Sequence, residues 1–206
     1  MELSPSRLGE RPNPLDVSWK IMSHARKIRD SQEPPVRIRS GPFIFNERKK
    51  KRGKFPLKGK YVAMVAPSFV VDFSYPEIIS YLKKLGFDKV VEVTFGAKMV
   101  NREYHDFLKD SKELKISTAC PGIVDLVKRK YPERVKDLIP VVSPMIAMGK
   151  ICRKIYPGYK IIFISPCNYK KIEAKNSKFI DGVIDFRELK GLVSEIEIGG
   201  NGGHFD

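Results

Sequence analysis

The sequence predicts an α/β domain over residues 58–194, in which a parallel sheet is covered by helices on both faces. From Lys58 onward, short apolar runs alternate with segments of helical periodicity, which is typical of α/β domains. The apolar runs are nearly continuous, as in strands that are buried on both faces of a sheet. Prolines and a glycine also mark the expected ends of the helices.

Five runs of apolar or β-branched residues are predicted to form the strands of this sheet. They cover residues 61–66, 89–94, 114–118, 159–165 and 182–185. Strands that are separated by helical segments pair in parallel, because the intervening helix returns the chain to the same end of the sheet.

Helices are predicted between and after these strands, over residues 75–85, 97–109, 121–130, 144–155 and 186–196. Pro76, Pro121 and Pro144 each fall in a predicted first turn, where the missing N–H of proline costs no hydrogen bond. Gly86 directly follows the first of these helices, at the position where a glycine commonly ends a helix.

The N-terminal segment, residues 1–57, differs from the domain in charge and composition. Residues 1–60 hold 16 Lys and Arg against 6 Asp and Glu, a net charge of +10 out of +15 for the whole chain. Prolines recur through the segment, and only residues 17–29 could form a helix of useful length. We therefore expect a basic, largely irregular arm.

The charge of the arm is highest in the run Arg-Lys-Lys-Lys-Arg-Gly-Lys at residues 48–54. Such a run can contact RNA, DNA, an anionic membrane or an acidic protein, and residues 48–60 are the candidate nucleic-acid contact. It can equally be a solvated linker that keeps the domain soluble. Because no aromatic residues are interleaved with the run and no binding module is recognisable, we prefer the linker.

Cellular location and cysteine chemistry follow from composition. No apolar run approaches the length of about 18 residues that a membrane-spanning helix requires. The first residues do not read as a secretory signal, so we expect a cytoplasmic protein. In that reducing compartment the three cysteines are expected to be thiols or metal ligands rather than disulfides.

Candidate site residues follow three of the predicted strands. Pro67 and Ser68 follow the first strand, and Cys120 follows the third. Cys167 follows the fourth strand, with Lys170 shortly after it. In an open parallel sheet, binding sites form beyond the carboxyl ends of the strands. We therefore expect Ser68, Cys120 and Cys167 to lie at one edge of the sheet.

The two cysteines at strand ends are the candidate metal ligands. Cys120 directly precedes a predicted helix, whose unpaired N–H groups favour the thiolate form that metals bind. Cys167 is followed by Lys170 and Lys171, whose positive charge acts in the same direction. Either cysteine could instead be a small buried hydrophobic residue. Cys152 falls inside the helix predicted at 144–155 and is expected to belong to the core.

Two segments around these cysteines resemble cluster-binding signatures of the iron-only (diiron) hydrogenases. They are Ser-Thr-Ala-Cys-Pro-Gly at residues 117–122 and Ser-Pro-Cys-Asn-Tyr-Lys-Lys-Ile-Glu at residues 165–173. The family signatures read Thr-Ser-Cys-Cys-Pro-x-Trp and Met-Pro-Cys-x-x-Lys-x-x-Glu. Further similar segments lie at residues 66–68, 84–88, 95–97, 131–133, 143–145 and 186–189. Their order and spacing resemble the first lobe of the hydrogenase large-subunit domain.

The resemblance implies a cofactor and a chemistry. Cys120 and Cys167 would be thiolate ligands of a four-iron four-sulfur cluster, which in the family is bridged to a diiron centre that carries cyanide and carbon monoxide. Lys170 would donate a charge-assisted hydrogen bond to one cyanide, and Pro67 and Ser68 would contact the other. The reaction implied for the family is the reversible reduction of protons to dihydrogen.

The sequence departs from the family pattern at positions on which catalysis depends. No segment matches the third family signature, which supplies the other two cluster cysteines, and the ferredoxin-like cysteine motifs are also missing. Ala119 replaces the cysteine that passes protons in the active family, Met145 replaces a glutamine, and Ser165 replaces a methionine. Of the glutamates of the family's proton path, only Glu103 remains. These features resemble the sensory branch of the family.

Three functions are compatible with this combination. The first is an iron–sulfur module with little or no hydrogen turnover, which serves redox sensing, assembly or electron transfer. The second is one part of a split hydrogenase that another chain completes. The third is a metal-free binding module that acts through the basic arm. The glycine-rich residues 195–206 contain no cysteine and are expected to form a flexible tail.

A partner is expected if a cluster is bound, because one chain does not supply a complete hydrogenase cluster. A cubane cluster needs four ligands, and each chain offers Cys120 and Cys167. Two copies of the chain, facing each other across a two-fold axis, would supply the full set and would bury an apolar, open surface around the cysteines. Cys152 or a second hydrogenase-like subunit could complete the site instead. The diiron subcluster is not expected to assemble fully on one chain.

Overall fold

The computed structural model describes residues 55–194 and 203–206. Nearly all of the predicted basic arm, with the possible helix at 17–29, lies outside the described residues. So do residues 195–202 of the glycine-rich segment, and the division of the chain into arm, domain and tail therefore stays a prediction.

The described residues contain a four-stranded parallel sheet. Its strands are β1 (Tyr61–Val65), β2 (Lys89–Glu92), β3 (Lys160–Ser165) and β4 (Gly182–Asp185). Their spatial order is β2-β1-β3-β4, and every neighbouring pair is parallel, which confirms the predicted fold class. Val65 is in register with Glu92 and with Ile164, so β1, β2 and β3 end at the same edge.

Six helices and two 3-10 turns connect the strands within the described part of the chain. The helices are α1 (Glu77–Lys84), α2 (Thr94–Leu108), α3 (Pro121–Lys130), α4 (Pro144–Ile155), α5 (Tyr169–Lys175) and α6 (Phe186–Val193). The turns are Pro67–Val71 and Pro132–Asp137. Helices α3 and α4 begin at the prolines that the sequence indicated. Helix α5 was not predicted, since its seven residues are too few for a helical period to be visible. None of these helices is long and apolar enough to cross a membrane.

The core is formed by the apolar faces of the strands and helices. Strand β1, at the centre of the sheet, is buried from Val62 to Val65, as expected for a strand that is covered on both faces. The largest fully buried side chains elsewhere are Ile78, Ile79, Leu82, Leu85, Phe87, Met145, Ile161, Ile164 and Leu189.

Two glycines allow close approaches that a side chain would prevent. Gly86 has φ +93° and follows α1, as predicted, and a Cβ there would lie 2.6 Å from the backbone N and O of Leu57. Gly96 lies where α2 packs on α4, and a Cβ there would lie 2.7 Å from the Pro144 carbonyl oxygen and 2.8 Å from Met148 Cβ. The first turns of α4 therefore pack closely on α2 at Gly96.

The predicted strand at 114–118 is wrong. Ile116 forms only an isolated parallel bridge with Leu138 and belongs to no strand of the sheet. A buried parallel strand needs apolar residues on both faces, but Leu114 is 72% exposed and Lys115 forms an ion pair with Glu113. The segment before Cys120 is therefore a loop, held in place by other means.

The end of the chain contradicts the expectation of a flexible tail at residues 203–206. The Phe205 ring packs on the rings of Phe69 and Tyr75, with centroid separations of 5.9 Å in both cases. The Asp206 backbone N–H donates to the Val90 carbonyl at 2.8 Å, and the Asp206 carboxylate accepts from the Val90 N–H at 2.8 Å. The carboxylate also binds Lys89 at 2.9 Å. These contacts cover the outer side of the edge strand β2.

Candidate functional site

Pro67 and Ser68 lie at the carboxyl end of β1, as predicted. The Ala66 N–H donates to the Ile164 carbonyl at 2.9 Å, which extends the pairing of β1 with β3 by one residue. Pro67 then begins a 3-10 turn that is anchored by the buried ring of Phe69. Pro67 and Ser68 remain exposed, so both face the edge of the sheet where β3 also ends.

Cys167 lies two residues beyond the end of β3. Its N–H donates to the hydroxyl of the buried Ser165 at 3.3 Å, and its carbonyl accepts from the Lys170 N–H at 3.1 Å. The Cys167 side chain is half-buried. A hydrogen bond on each side of Cys167 therefore holds this loop beyond the carboxyl end of β3, the strand that pairs with β1.

Cys120 forms the N-cap of α3. Its backbone is extended, and its carbonyl accepts from the N–H groups of Ile123 at 3.1 Å and Val124 at 3.2 Å. The Cys120 side chain is exposed. Its place at the start of a helix is as the sequence predicted, although no sheet strand leads into it.

Tyr104 of α2 holds the loop that leads to Cys120. Its hydroxyl accepts from the Thr118 N–H at 3.0 Å. The Thr118 hydroxyl lies 2.8 Å from the Ile139 carbonyl and 2.6 Å from the Val141 carbonyl, and donates to one of them. Side-chain hydrogen bonds therefore replace the sheet pairing that the sequence had indicated. No sequence pattern marked Tyr104 for this role, because its partners at residues 117–118 lie 13 and 14 positions away in sequence and leave no local signal.

Two contacts bring the Cys120 loop and the Cys167 loop together. The Lys170 ammonium donates to the Ala119 carbonyl at 3.4 Å, across 51 positions of sequence. Gly122, in the first turn of α3, packs so closely on α5 that a Cβ there would lie 3.2 Å from the Tyr169 ring. The structure thus places the two loops side by side, as the sequence predicted, whereas the roles of their residues remain predictions.

Lys170 and Lys171 point to different partners. The Lys170 ammonium also binds the Glu173 carboxylate at 2.7 Å, and both side chains are largely buried. Lys171 binds Asp185 at 2.5 Å and Glu188 at 2.9 Å. Burial lowers the pKa of Lys171, but the hydrogen bonds that it donates to the two carboxylates, together with their negative charge, outweigh burial, and the pKa lies above its ordinary value. Lys171 therefore fastens α5 to the start of α6.

Cys152 is not part of this group. It is fully buried in the last turns of α4, shortly before the amino end of β3, whereas Cys167 follows the carboxyl end of that strand. Burial raises the pKa of the Cys152 thiol to about 12, which disfavours the thiolate that a metal binds. The expectation that Cys152 belongs to the core is confirmed.

Three further positions that the sequence analysis compared with the family signatures, at 145, 165 and 103, lie on α4, β3 and α2. Met145 is buried in the first turn of α4, and Ser165 is buried at the end of β3. Glu103 is half-buried on α2. Within residues 55–194 and 203–206, no three His, Cys, Asp or Glu side chains are grouped so that they could hold a metal ion. The described part of the chain therefore offers two accessible thiols at one edge, which is half of a four-thiolate ligand set.

The chain matches the family model described as "Iron only hydrogenase large subunit, C-terminal domain" over residues 59–201. The chain belongs to this family. The hydrogenase-family domain thus coincides with the described sheet and helices, and it contains both cysteine loops.

Curated relatives of the hydrogenase-family domain are of two kinds. Iron hydrogenase 1 of Clostridium pasteurianum is 30% identical over 142 residues, which cover 59% of this chain and 25% of the relative. The cytosolic Fe-S cluster assembly factor NAR1 of Kluyveromyces lactis is 26% identical over 116 residues, which cover 53% of this chain and 25% of the relative. The chain therefore spans about a quarter of the length of the curated relatives it matches.

Solved structures show the same fold. An FeFe-hydrogenase structure described for oxygen inactivation of the H cluster superposes with a TM-score of 0.60 at 20% identity, covering 76% of this chain and 48% of that chain. A second, described for stepwise H-cluster assembly, gives a TM-score of 0.58 at 17% identity, covering 92% of this chain and 50% of that chain. The hydrogenase-family domain thus corresponds to about half of each solved chain, as expected for a single lobe.

Proposed function

We propose that this hydrogenase-family domain binds an iron–sulfur cluster through Cys120 and Cys167 and turns over little or no hydrogen. The observation that carries the proposal is the juxtaposition of the two cysteine loops, joined by the Lys170 contact to the Ala119 carbonyl. Of the three cysteines, these two are the accessible ones, as ligands of an exposed cluster must be. The family membership and the relatives named for iron–sulfur assembly agree with this function.

The side chain of residue 119, next to Cys120 in sequence, supports low hydrogen turnover. Ala119 carries a methyl group where the active family has a thiol, and a methyl group neither donates nor accepts a proton. Lys170 shares its three donors between Glu173 and the Ala119 carbonyl, so at most one is free for a ligand. The site can therefore hold a cluster better than it can move protons to it.

Assembly is the role that we favour over redox sensing or electron transfer. Cys120 is exposed at the edge of the sheet in the single chain, so a cluster that two copies share there would become open to exchange with another protein when the copies separate. Several relatives are named as cytosolic Fe-S cluster assembly factors, in organisms that include Kluyveromyces lactis and Aedes aegypti. A resident electron-transfer cluster is instead usually enclosed and fully ligated by its own protein.

A second copy of the chain is the partner that we propose for the missing thiolates. Large apolar side chains are exposed on the elements around the two loops, as expected for a covered surface. They are Val70 (66%), Val71 (84%), Ile123 (42%), Leu126 (43%) and Tyr169 (42%). Since each copy brings two thiolates, a symmetric dimer would complete four ligands and bury these side chains together.

Anaerobic reconstitution with ferrous iron and sulfide tests the cluster ligands. We expect the wild type to show the visible absorption of an iron–sulfur cluster, and Cys120→Ser and Cys167→Ser each to lose most of the bound iron. The matched control is Cys152→Ala, which removes a buried thiol outside the site and is expected to retain the iron. A wild type without bound iron, or a Cys152→Ala variant that loses as much iron as the other two, would contradict the proposal.

Hydrogen evolution with reduced methyl viologen as electron donor tests the proposal that the domain turns over little or no hydrogen. We expect no turnover above that of the reconstitution mixture without protein. Turnover by the reconstituted chain at rates typical of the family would show that Ala119 does not prevent proton delivery. Turnover that requires a second, co-purifying subunit would instead identify the chain as part of a split hydrogenase.

A further inference from the structure

Two lysine–tyrosine pairs lie at the amino edge of the sheet, opposite the cysteine loops. Lys160 is in register with Tyr61, and its ammonium lies 5.6 Å from the centre of that ring. The Lys60 ammonium lies 5.8 Å from the centre of the Tyr159 ring. Because successive residues of a strand point to opposite faces, one pair lies on each face of the sheet. Both pairs have the geometry of a cation–π contact.

The pair on the face of Lys60 is part of a larger cluster. The Tyr156 ring lies 5.7 Å from the Tyr159 ring at an angle of 56°. Lys89 is in register with Val62, two residues after Lys60, and so lies on the same face. The three tyrosines at this edge, at 61, 156 and 159, are all partly exposed.

Among the described residues, three carboxylates lie at this edge and are outnumbered by the basic side chains there, so the edge keeps a net positive charge. Asp88 accepts from the Tyr61 N–H at 2.8 Å. Asp181 binds Arg153 at 2.6 Å. Asp206 binds Lys83 at 3.0 Å as well as Lys89.

Three lysines at this amino edge form no ion pair with a carboxylate of the described residues. They are Lys58, Lys60 and Lys160, and all three are exposed. In the sequence, six of the seven residues at 48–54, which precede Phe55, are also basic. Leu57 is fastened to this end of the domain, because its N–H donates to the Leu85 carbonyl at 2.8 Å.

We propose that this amino edge binds single-stranded nucleic acid. Exposed lysines that lie beside partly exposed tyrosine rings combine the two interactions used for such strands, namely phosphate contacts and base stacking. The sequence alone favoured a solvated linker, because no aromatic residues are interleaved with the basic run. The fold supplies them from two separate segments, 61 and 156–159. The surface is distinct from the cysteine edge and does not depend on the cluster.

Fluorescence anisotropy of the full chain with a labelled oligouridylate of about 16 nucleotides tests this surface. We expect the affinity to fall as the salt concentration rises. The slope of the logarithm of the affinity against the logarithm of the salt concentration is expected to be smaller in magnitude by about 1.4 in the double variant Lys60→Gln, Lys160→Gln, because each lost phosphate contact contributes about 0.7. The matched control is Lys128→Gln with Lys130→Gln, which removes the same charge from exposed positions of α3 and is expected to leave the slope unchanged.

Substitution of Tyr159 separates stacking from charge. Tyr159→Leu is expected to weaken binding about tenfold, whereas Tyr159→Phe, which keeps the ring, retains it. Equal loss in the two double lysine variants would overturn the proposal, as would wild-type affinity in Tyr159→Leu. Equally tight binding of a duplex of the same length, of phosphatidylserine vesicles or of polyglutamate would also overturn it. Iron content after reconstitution is expected to be unchanged in all of these variants, so failure here is distinguishable from failure of the proposed cluster site.

Discussion

The Lys170 ammonium donates to the carbonyl oxygen of Ala119 at 3.4 Å. This contact joins the two segments that resemble cluster-binding signatures, and each segment carries one accessible cysteine. The same ammonium binds Glu173 at 2.7 Å, which holds the lysine side chain in place along α5. Lys170 therefore positions the Cys120 loop relative to the Cys167 loop even before any cluster is considered.

Removal of this lysine is expected to destabilise the domain. In Lys170→Met the largely buried Glu173 carboxylate loses its partner, so we expect the free energy of unfolding to fall by about 1–3 kcal/mol. Lys175→Met, an exposed position at the end of the same helix, serves as control and is expected to stay within about 0.5 kcal/mol of the wild type. Urea unfolding measures both, and equal stability of the two variants would show that Lys170 does not join the loops.

The three cysteines are expected to differ in reactivity in the folded protein. Burial raises the pKa of Cys152 to about 12, so at about pH 8 its thiol stays protonated and shielded, while Cys120 is exposed and Cys167 half-buried. Titration of the iron-free protein with a thiol reagent is expected to modify Cys120 and Cys167, with Cys152 reacting only after denaturant is added. Mass spectrometry of the modified peptides identifies the sites. Rapid modification of Cys152 in the folded chain would contradict its placement in the core.

The contact of α2 with α4 is expected to tolerate no side chain at Gly96. A Cβ at Gly96 would lie 2.7 Å from the Pro144 carbonyl oxygen, so Gly96→Ala must push the helices apart, at a cost of about 1–3 kcal/mol in unfolding free energy. At Gly191 in α6 a Cβ would meet no atom of the described residues within 4 Å. Gly191→Ala is therefore expected to be neutral or to stabilise by up to about 1 kcal/mol, because alanine favours helix. Thermal or urea unfolding measures both variants. An equal change in unfolding free energy in Gly96→Ala and Gly191→Ala would contradict the close packing of α2 on α4.

The stability of the domain is expected to fall at acid pH, in part through Asp185. Burial alone would raise the pKa of Asp185, but Lys171 and the Glu188 N–H outweigh it and hold the pKa below its ordinary value of 3.8. Since the folded carboxylate binds its proton less readily than the unfolded one, its contribution is complete above about pH 4 and is lost as the pH falls through the folded pKa.

Asp185→Asn isolates this contribution. The amide oxygen can still accept from the Glu188 N–H and cap α6, but the charge that pairs with Lys171 is gone. Urea unfolding as a function of pH is expected to show a smaller loss of stability below about pH 4 in Asp185→Asn than in the wild type. An identical pH profile would assign the acid sensitivity to other carboxylates.

Much of the fold could be predicted from sequence, because near-continuous apolar runs and prolines at helix starts are local signals. Pro121 and Pro144 began helices as expected. The segment before Cys120 could not be placed, since Thr118 holds it by donating hydrogen bonds to the Tyr104 hydroxyl and to the carbonyl of Ile139 or Val141, and none of these contacts leaves a local pattern. The docking of residues 203–206 was missed for the same reason, because the partners of Asp206 lie far away in sequence.

The placement of the candidate site residues was predictable where they follow the ends of strands. Ser68 and Cys167 lie beyond the carboxyl ends of adjacent strands, where an open parallel sheet places its binding residues. Cys120 reaches the same edge although its predicted strand is absent from the sheet, because α3 packs on α5 through Gly122 and Tyr169. Such a contact depends on the tertiary structure, so sequence could indicate the residues but not the means by which they meet.

The number of irons bound per chain tests the proposed cluster site most directly. A four-iron cluster shared by Cys120 and Cys167 of two copies requires about two irons and two sulfides per chain, in a species that elutes as a dimer on anaerobic size-exclusion chromatography and dissociates with a chelator. We expect this stoichiometry for the wild type and for Cys152→Ala, and we expect monomers without iron for Cys120→Ser and Cys167→Ser. About four irons per monomeric chain, or an iron-free chain whose size is indifferent to chelator and to both serine variants, would contradict the account.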